Sequence, residues 1–183
     1  MKDVNLGEDT IQKTEILMNS ARLYFFIPVL WIGGLISSPL LAQSGDLIGP
    51  VTVQEIAEHD RIYDIYMERY QPSEAALEYL ATQKDSIKLI IFLGDWCKES
   101  KKYLPGLMKT LGLVDSGFIR TEYIGVDPQK KIPKSFLKMY EIKYIPTVVV
   151  LKGNVELGRI EEKPHELIET DLVQILKKAV TKK

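Results

Sequence analysis

Apolar positions recur at spacings of three and four from Thr52 to Tyr70, then give way to short unbroken apolar runs separated by further helical stretches. Thr52 is placed to cap a helix reaching about Tyr70, with Ile56, Ile62, Tyr63, Tyr66 and Tyr70 as its buried stripe. Tyr70-Gln71-Pro72 ends that helix, and Ser73 with Glu74 opens a second one through Ala81. Lys88–Leu93 is a run of strand length closed by Gly94, and its lack of alternation predicts burial on both faces. Helical spacing returns over 98–111 through Leu104, Leu107, Met108 and Leu111, with Pro105 inside it as an expected kink. Thr121–Val126 reads as a second strand closed by Asp127-Pro128, and Pro133 opens a short helix to Tyr140. Thr147–Leu151 and Val155–Ile160 read as strands joined by a Gly153-Asn154 hairpin. His165–Ala179 closes the chain as a helix with Leu167, Ile168, Leu172, Ile175 and Leu176 on one face and Lys177 and Lys178 against its dipole. Two helices followed by β-α-β-α-β-β-α predict an α/β domain, with a mixed sheet covered by helices on both faces.

A different pattern precedes this. Leu23 to Gly45 carries no charged residue, follows Arg22, and ends in small residues around Ala42. A positive flank, an apolar core and a small-residue exit compose a secretory signal, so residues 1–43 are expected to direct export to the periplasm or cell envelope. The competing reading is a membrane anchor over residues 23–42, since about 20 apolar residues span a bilayer; Pro28, Gly33-Gly34 and Pro39 weaken it. Residues 1–17 are acidic in balance, with Asp3, Glu8, Asp9 and Glu15 against Lys2 and Lys13. That is the wrong sign for the start of a signal, whereas Met18 begins a conventional one, so translation is expected to start there. Residues 44–51 read as a linker, which makes 44–85 a linker with a helical extension and 86–181 the main domain.

Composition narrows the chemistry. The chain has 183 residues, 24 Lys and Arg against 25 Asp and Glu, a net charge of −1, and 45% hydrophobic residues. That length and apolar share suit a folded domain with a real core. The absence of a basic excess argues against nucleic-acid binding. One cysteine excludes an intrachain disulfide framework and Cys-rich zinc sites. His59 and His165, far apart and each beside an acid, read as solvated or capping residues, so no metal site is expected.

The single cysteine stands where reactivity is favoured. Cys97 follows the strand Lys88–Leu93 and the turn Gly94-Asp95-Trp96, and opens the next helix. Unpaired backbone N–H groups and the positive dipole end favour a thiolate there. Lys98, Lys101 and Lys102 add to that field, while Asp95 and Glu99 oppose it. The alternative is a cysteine serving as a small buried hydrophobe.

Trp96-Cys97-Lys98-Glu99-Ser100 resembles the Trp-Cys-x-x-Cys site of the thioredoxin superfamily, with Ser100 in place of the second cysteine. Pro105 falls where that family carries a helix-kinking proline. Tyr140–Thr147 resembles the loop ending in its cis-proline, followed by a strand, a Gly/Asn hairpin and a last strand. The match covers roughly Ser86–Lys178, and Gly94-Asp95-Trp96-Cys97 with a Gly125-Val126-Asp127 strand end is similar to a group of bacterial members. The resemblance implies a thioredoxin-like three-layer fold with an N-terminal helical extension. It implies that Cys97 attacks, that Trp96 shields it, and that a cis Ile145–Pro146 bond, with Thr147 beyond, lets a substrate strand pair beside the sulfur.

The departures from the family pattern bear on mechanism. Without a second cysteine a mixed disulfide has no internal resolving thiol, though the Ser100 hydroxyl is expected to hydrogen-bond the Cys97 thiolate. Ile91 replaces a buried aspartate that serves the resolving step, and Glu162 stands where a glycine often lines the site. The expected activity is therefore monothiol thiol–disulfide exchange with protein or small-molecule thiols and disulfides, without a cofactor and with membrane contact only through the N-terminal segment. The alternative is a non-catalytic module that binds partners in the cis-proline groove. A peroxiredoxin is excluded by Gly94 where its threonine belongs, and Lys98-Glu99 departs from the Cys-Gly-Phe-Ser of monothiol glutaredoxins.

Overall fold

The computed structural model describes residues 45–181, and the expected signal or anchor in residues 1–43 lies outside them. Among the described residues no helix is long and apolar enough to cross a membrane. The elements are β1 (Gly49–Val51), α1 (Val53–His59), α2 (Ile62–Arg69), α3 (Glu74–Ala81), β2 (Ile87–Leu93), α4 (Lys98–Val114), β3 (Ile119–Gly125), α5 (Lys134–Met139), β4 (Thr147–Lys152), β5 (Val155–Glu161) and α6 (Ile168–Thr181).

The five strands form one sheet in the order β1-β3-β2-β4-β5. β2 and β3 are parallel and joined by α4, whereas β4 runs antiparallel to β2 and β5 antiparallel to β4. β2 lies at the centre, and alternate residues feed the two layers. Ile87, Leu89, Ile91 and Leu93 pack with residues from α1, α2, α3, α4 and α6. Ile90 and Phe92 pack on the other face with Leu137 of α5, Ile145 and Cys97. Helices on both faces of this mixed sheet, with a β-α-β-α-β-β-α order from β2 onwards, make the fold thioredoxin-like.

Several sequence expectations need correction. Residues 44–51 are not all linker, because Gly49–Val51 pairs antiparallel with Tyr123–Gly125 as an edge strand. Three residues with no apolar run give no strand signal. The approach is close: a Cβ on Gly125 would strike the Leu47 carbonyl oxygen. The helix expected over 52–70 is two. Thr52 caps α1 with a full capping box to Glu55, but Asp60 turns extended and its carboxylate accepts the Ile62 N–H at 3.0 Å. A local side-chain bond of this kind competes with the helix. Of the expected stripe, Ile56 and Tyr63 are fully buried, while Tyr66 is 41% exposed.

α4 runs unbroken through Pro105 to Val114, beyond the expected end at residue 111. α6 begins at Ile168 rather than His165. The Asp171 carboxylate accepts the N–H groups of His165 and Glu166 at 2.7 and 3.3 Å, which holds those residues outside the helix and leaves Leu167 exposed. The Gly153-Asn154 hairpin forms as expected, with Gly153 at φ 60.

Candidate functional site

β2 ends at Leu93, and the turn 94–96 delivers Cys97 to the N-cap of α4. The Cys97 N–H closes that turn on the Gly94 carbonyl at 3.0 Å. A Cβ on Gly94 would lie 2.5 Å from the Trp96 indole, so a larger residue there would displace the ring. The indole N–H instead reaches across to the Val126 carbonyl at 2.8 Å, at the end of β3. Trp96 is thereby fixed beside the cysteine yet 38% exposed.

Cys97 itself is 6% exposed. Its Sγ stands 3.2 Å from the Ile145 carbonyl oxygen and 3.7 Å from the Glu99 carboxylate. Both are acceptors, so the geometry is that of a thiol donating its hydrogen. The Ile145–Pro146 bond is cis, and Ile145 and Pro146 are buried directly across from the sulfur. Thr147 begins β4 with its hydroxyl donating to the Tyr144 carbonyl at 2.8 Å, which holds the loop rather than facing the sulfur. The Pro146 carbonyl accepts the Glu162 N–H at 2.7 Å, and Glu162 takes φ 58, a left-handed conformation that glycine adopts freely. Cys97, Trp96, Ile145 and Pro146 thus come together from segments some fifty residues apart.

Ser100 is fully buried, and its Oγ accepts the Gly94 N–H at 3.3 Å. In this bond Ser100 is the acceptor, so the bond leaves open the expected donation of its hydroxyl to a Cys97 thiolate. Through it Ser100 braces the loop that carries Cys97.

Other residues of the site carry no sequence signal. His59 is not solvated: its Nε2 lies 2.8 Å from the Asp95 carboxylate, and the ring is 22% exposed. Asp95 also accepts the Trp96 N–H at 2.9 Å. Next to it Asp60 pairs with Lys101 at 2.7 Å. Burial alone would raise the Asp60 pKa, but the bonds from Lys101 and the Ile62 N–H outweigh it and hold the carboxyl below its usual value. These pairs join residues about forty positions apart, which no local pattern announces. His165 does match its reading, with a ring 96% exposed.

Asp127 braces the far side. Its carboxylate accepts the N–H groups of Lys131 and Ile132 at 2.7 Å each and of Gln129 at 3.2 Å. This pins a loop containing a second cis bond, Ile132–Pro133, against the strand end that holds Trp96. Among the described residues no group of three His, Cys, Asp or Glu side chains is placed to hold a metal ion.

Comparison with solved structures bears on fold alone. No family model matches the chain, and no curated protein matches it. A crystal structure of a protein of unknown function from Pseudomonas aeruginosa superposes with a TM-score of 0.52 at 19% identity, covering 69% of this chain and 84% of that one. An HIV epitope scaffold gives 0.51 at 18% identity, covering 68% and 84%. Thioredoxin f2 from Chlamydomonas reinhardtii gives 0.39 at 18% identity, covering 59% and 92%.

Proposed function

We propose that this protein is an exported monothiol thiol–disulfide exchange protein acting through Cys97. The observation that carries the reading is the 3.2 Å approach of Cys97 Sγ to the carbonyl of Ile145, the residue before cis Pro146. An extended substrate lying along Ile145 would pair with backbone there and set its disulfide against the sulfur.

The exchange balances without an added oxidant or reductant. Cys97 gives up its proton, and its thiolate attacks one sulfur of a substrate disulfide. A Cys97–substrate disulfide forms, and the other substrate sulfur leaves as a thiolate. A second thiol, from the substrate or from solution, then attacks the substrate sulfur of that bond and returns Cys97 as a thiolate. Ser100 holds the loop through both steps. Trp96 shields one side of the sulfur.

The partner in this reading is a protein. Trp96, Ile132 and Tyr144 are large apolar residues 38%, 46% and 49% exposed. All three sit on the segments that bond to one another around Cys97, and apolar exposure of that kind marks a contact surface. Export rests on the uncharged stretch from Leu23 to Gly45 behind Arg22.

The burial of Cys97 and the two acceptors facing its sulfur favour a second reading, a binding module whose groove holds a partner without covalent chemistry. Trapping separates the two. The protein is expressed with its native leader, thiols are quenched in acid, and mixed disulfides are sought on non-reducing gels. Adducts that disappear on reduction and in Cys97→Ser support exchange. A partner that copurifies equally with wild type and Cys97→Ser, with no adduct, overturns exchange in favour of the module. Mass spectrometry of the N-terminus in the same sample tests the start at Met18 and cleavage near Ala42.

A further inference from the structure

Tyr63 is fully buried, and its hydroxyl is the one buried side-chain polar atom with no hydrogen-bond partner among the described residues. A buried hydroxyl left without a partner is destabilising, so its retention asks for a use. Phenylalanine would fill the same space without that cost.

The packing of α2 on α4 says where this hydroxyl lies. At the N-terminal end of α2, Asp60 holds Lys101 and His59 holds Asp95. Past its C-terminal end, the Tyr70 ring lies where a Cβ on Gly106 would meet it at 2.6 Å. Contacts therefore follow the same order along both helices, with the start of α2 beside the start of α4. Tyr63 falls one turn after Asp60, against the first turns of α4. Helical side chains lean toward the helix N-terminus, so its ring leans toward the end at which Cys97 caps α4. Tyr63 shares its buried cluster with Leu104 and with Ile91, an apolar side chain that brings no polar atom of its own.

We infer that Tyr63 is a positioning residue for Cys97: its hydroxyl is a donor held in reserve, idle while the sulfur is a thiol and used when the sulfur becomes an anion. The inference rests on the thiol-exchange reading above. In the thiol state Sγ donates to the Ile145 carbonyl, and neither of its two recorded partners is a donor. A thiolate reverses that demand. It repels the Ile145 carbonyl and the Glu99 carboxylate and calls for an O–H, which Tyr63 has uncommitted. No proton need change hands, because a phenol as neutral donor is sufficient.

The electrostatics agree. Burial, and then the negative charge of Cys97 ahead of Asp60 and Asp95, raise the Tyr63 phenol well above its usual range, so its hydroxyl remains protonated. Asp60 is paired with Lys101 and Asp95 with His59, Glu99 faces the sulfur, and Lys98 and Lys102 are exposed on the first turns of α4.

The test compares Tyr63→Phe with wild type, both as the full described domain within the whole chain. Alkylation of Cys97 by iodoacetamide and thiolate ultraviolet absorbance are followed across the thiol titration range. The expected result is alkylation near neutral pH about three- to ten-fold slower in Tyr63→Phe, the ratio that half to one unit of titration midpoint gives. The limiting rate at high pH and the urea midpoint should be unchanged or higher. Identical pH profiles for the two folded proteins overturn the inference while leaving thiol exchange intact. If native Cys97 is not alkylated in either protein, thiol exchange falls and this inference with it.

A second measurement needs no variant at Tyr63. The carbon that bears the hydroxyl, followed by NMR in protein carrying labelled tyrosine, should show a titration step that coincides with Cys97 ionisation and vanishes in Cys97→Ala. A resonance blind to that ionisation overturns the inference independently.

Discussion

His59 Nε2 lies 2.8 Å from the carboxylate of Asp95, and Asp95 stands two residues before Cys97. A residue of α1 thereby holds the turn that presents the sulfur. The same carboxylate takes the Trp96 N–H, so one group links α1, the turn and the residue that carries the indole. The end of α1 therefore packs on the turn that carries Cys97.

Removing the imidazole leaves Asp95, only 13% exposed, without its side-chain donor. His59→Ala should cost about 1–2 kcal/mol of stability, in the range for a lost hydrogen bond to a partly buried charged group. His59→Gln keeps an N–H of similar reach and should recover at least half of that loss. Urea unfolding of the three proteins checks it, and equal losses in both variants would show that the bond is not what matters.

Glu99 tests the electrostatics of the sulfur directly. Its carboxylate is 3.7 Å from Sγ, and a like charge at that range disfavours the thiolate. Glu99→Gln preserves shape and removes the charge. Alkylation of Cys97 at neutral pH should rise about three-fold, a modest gain because solvent reaches the carboxylate and screens it. A rate equal to wild type would mean that the carboxylate does not weigh on the sulfur.

The parts of this picture readable in sequence are those set by local pattern. β2 and β4 are legible because a central strand buried on both faces must be continuously apolar, as Leu89–Leu93 and Val148–Leu151 are. The caps at Thr52 and Ser73 and the Gly153 turn are legible because each depends on one residue's own chemistry. Cys97 and Pro146 were readable through resemblance, since their meeting is a property of topology. What escaped depends on partners far along the chain. β1 exists because β3 offers an edge, not because Gly49-Pro50-Val51 favours a strand. Spacing along the motif cannot show that Ser100 also accepts the Gly94 N–H and so ties the turn to α4. The break at Asp60 interrupts a stripe whose spacing carries on across it.

Glu169 joins the extension to the last helix in a similar long-range way. Its fully buried carboxylate accepts the Tyr70 hydroxyl at 2.7 Å and the Ser73 N–H at 3.0 Å. Burial, then the bond to Glu169 and its charge, hold the Tyr70 phenol well above its usual range, so the hydroxyl remains a donor at any ordinary pH. Tyr70→Phe strips one donor from a buried carboxylate and should cost about 2 kcal/mol. The check is thermal unfolding together with hydrogen exchange, in which α2 and α3 should lose protection before the sheet does. Uniform loss across the domain would place the bond outside any separable role of the extension.

Asp127 gives the site an acid limit. Burial alone would raise its pKa, but the N–H groups of Ile132, Lys131 and Gln129 outweigh that and hold the carboxyl below its ordinary 3.8. A group depressed on folding contributes stability that is fully present above its unfolded value and is lost as pH falls through its folded value. The loop over 127–133 should therefore hold at neutral pH and loosen below about pH 4, the ordinary carboxyl range. Loosening would reach Trp96 through Val126, whose carbonyl holds the indole. Asp127→Asn removes the charge behind these bonds, so it should be less stable than wild type at neutral pH, and the gap should close as acid protonates the wild-type carboxylate. Urea midpoints taken from neutral to acid pH, with Trp96 fluorescence as a second probe, check both halves. A gap that stays constant down to the acid end would show that the carboxylate's charge does not hold the loop, and that the site's acid sensitivity must arise elsewhere.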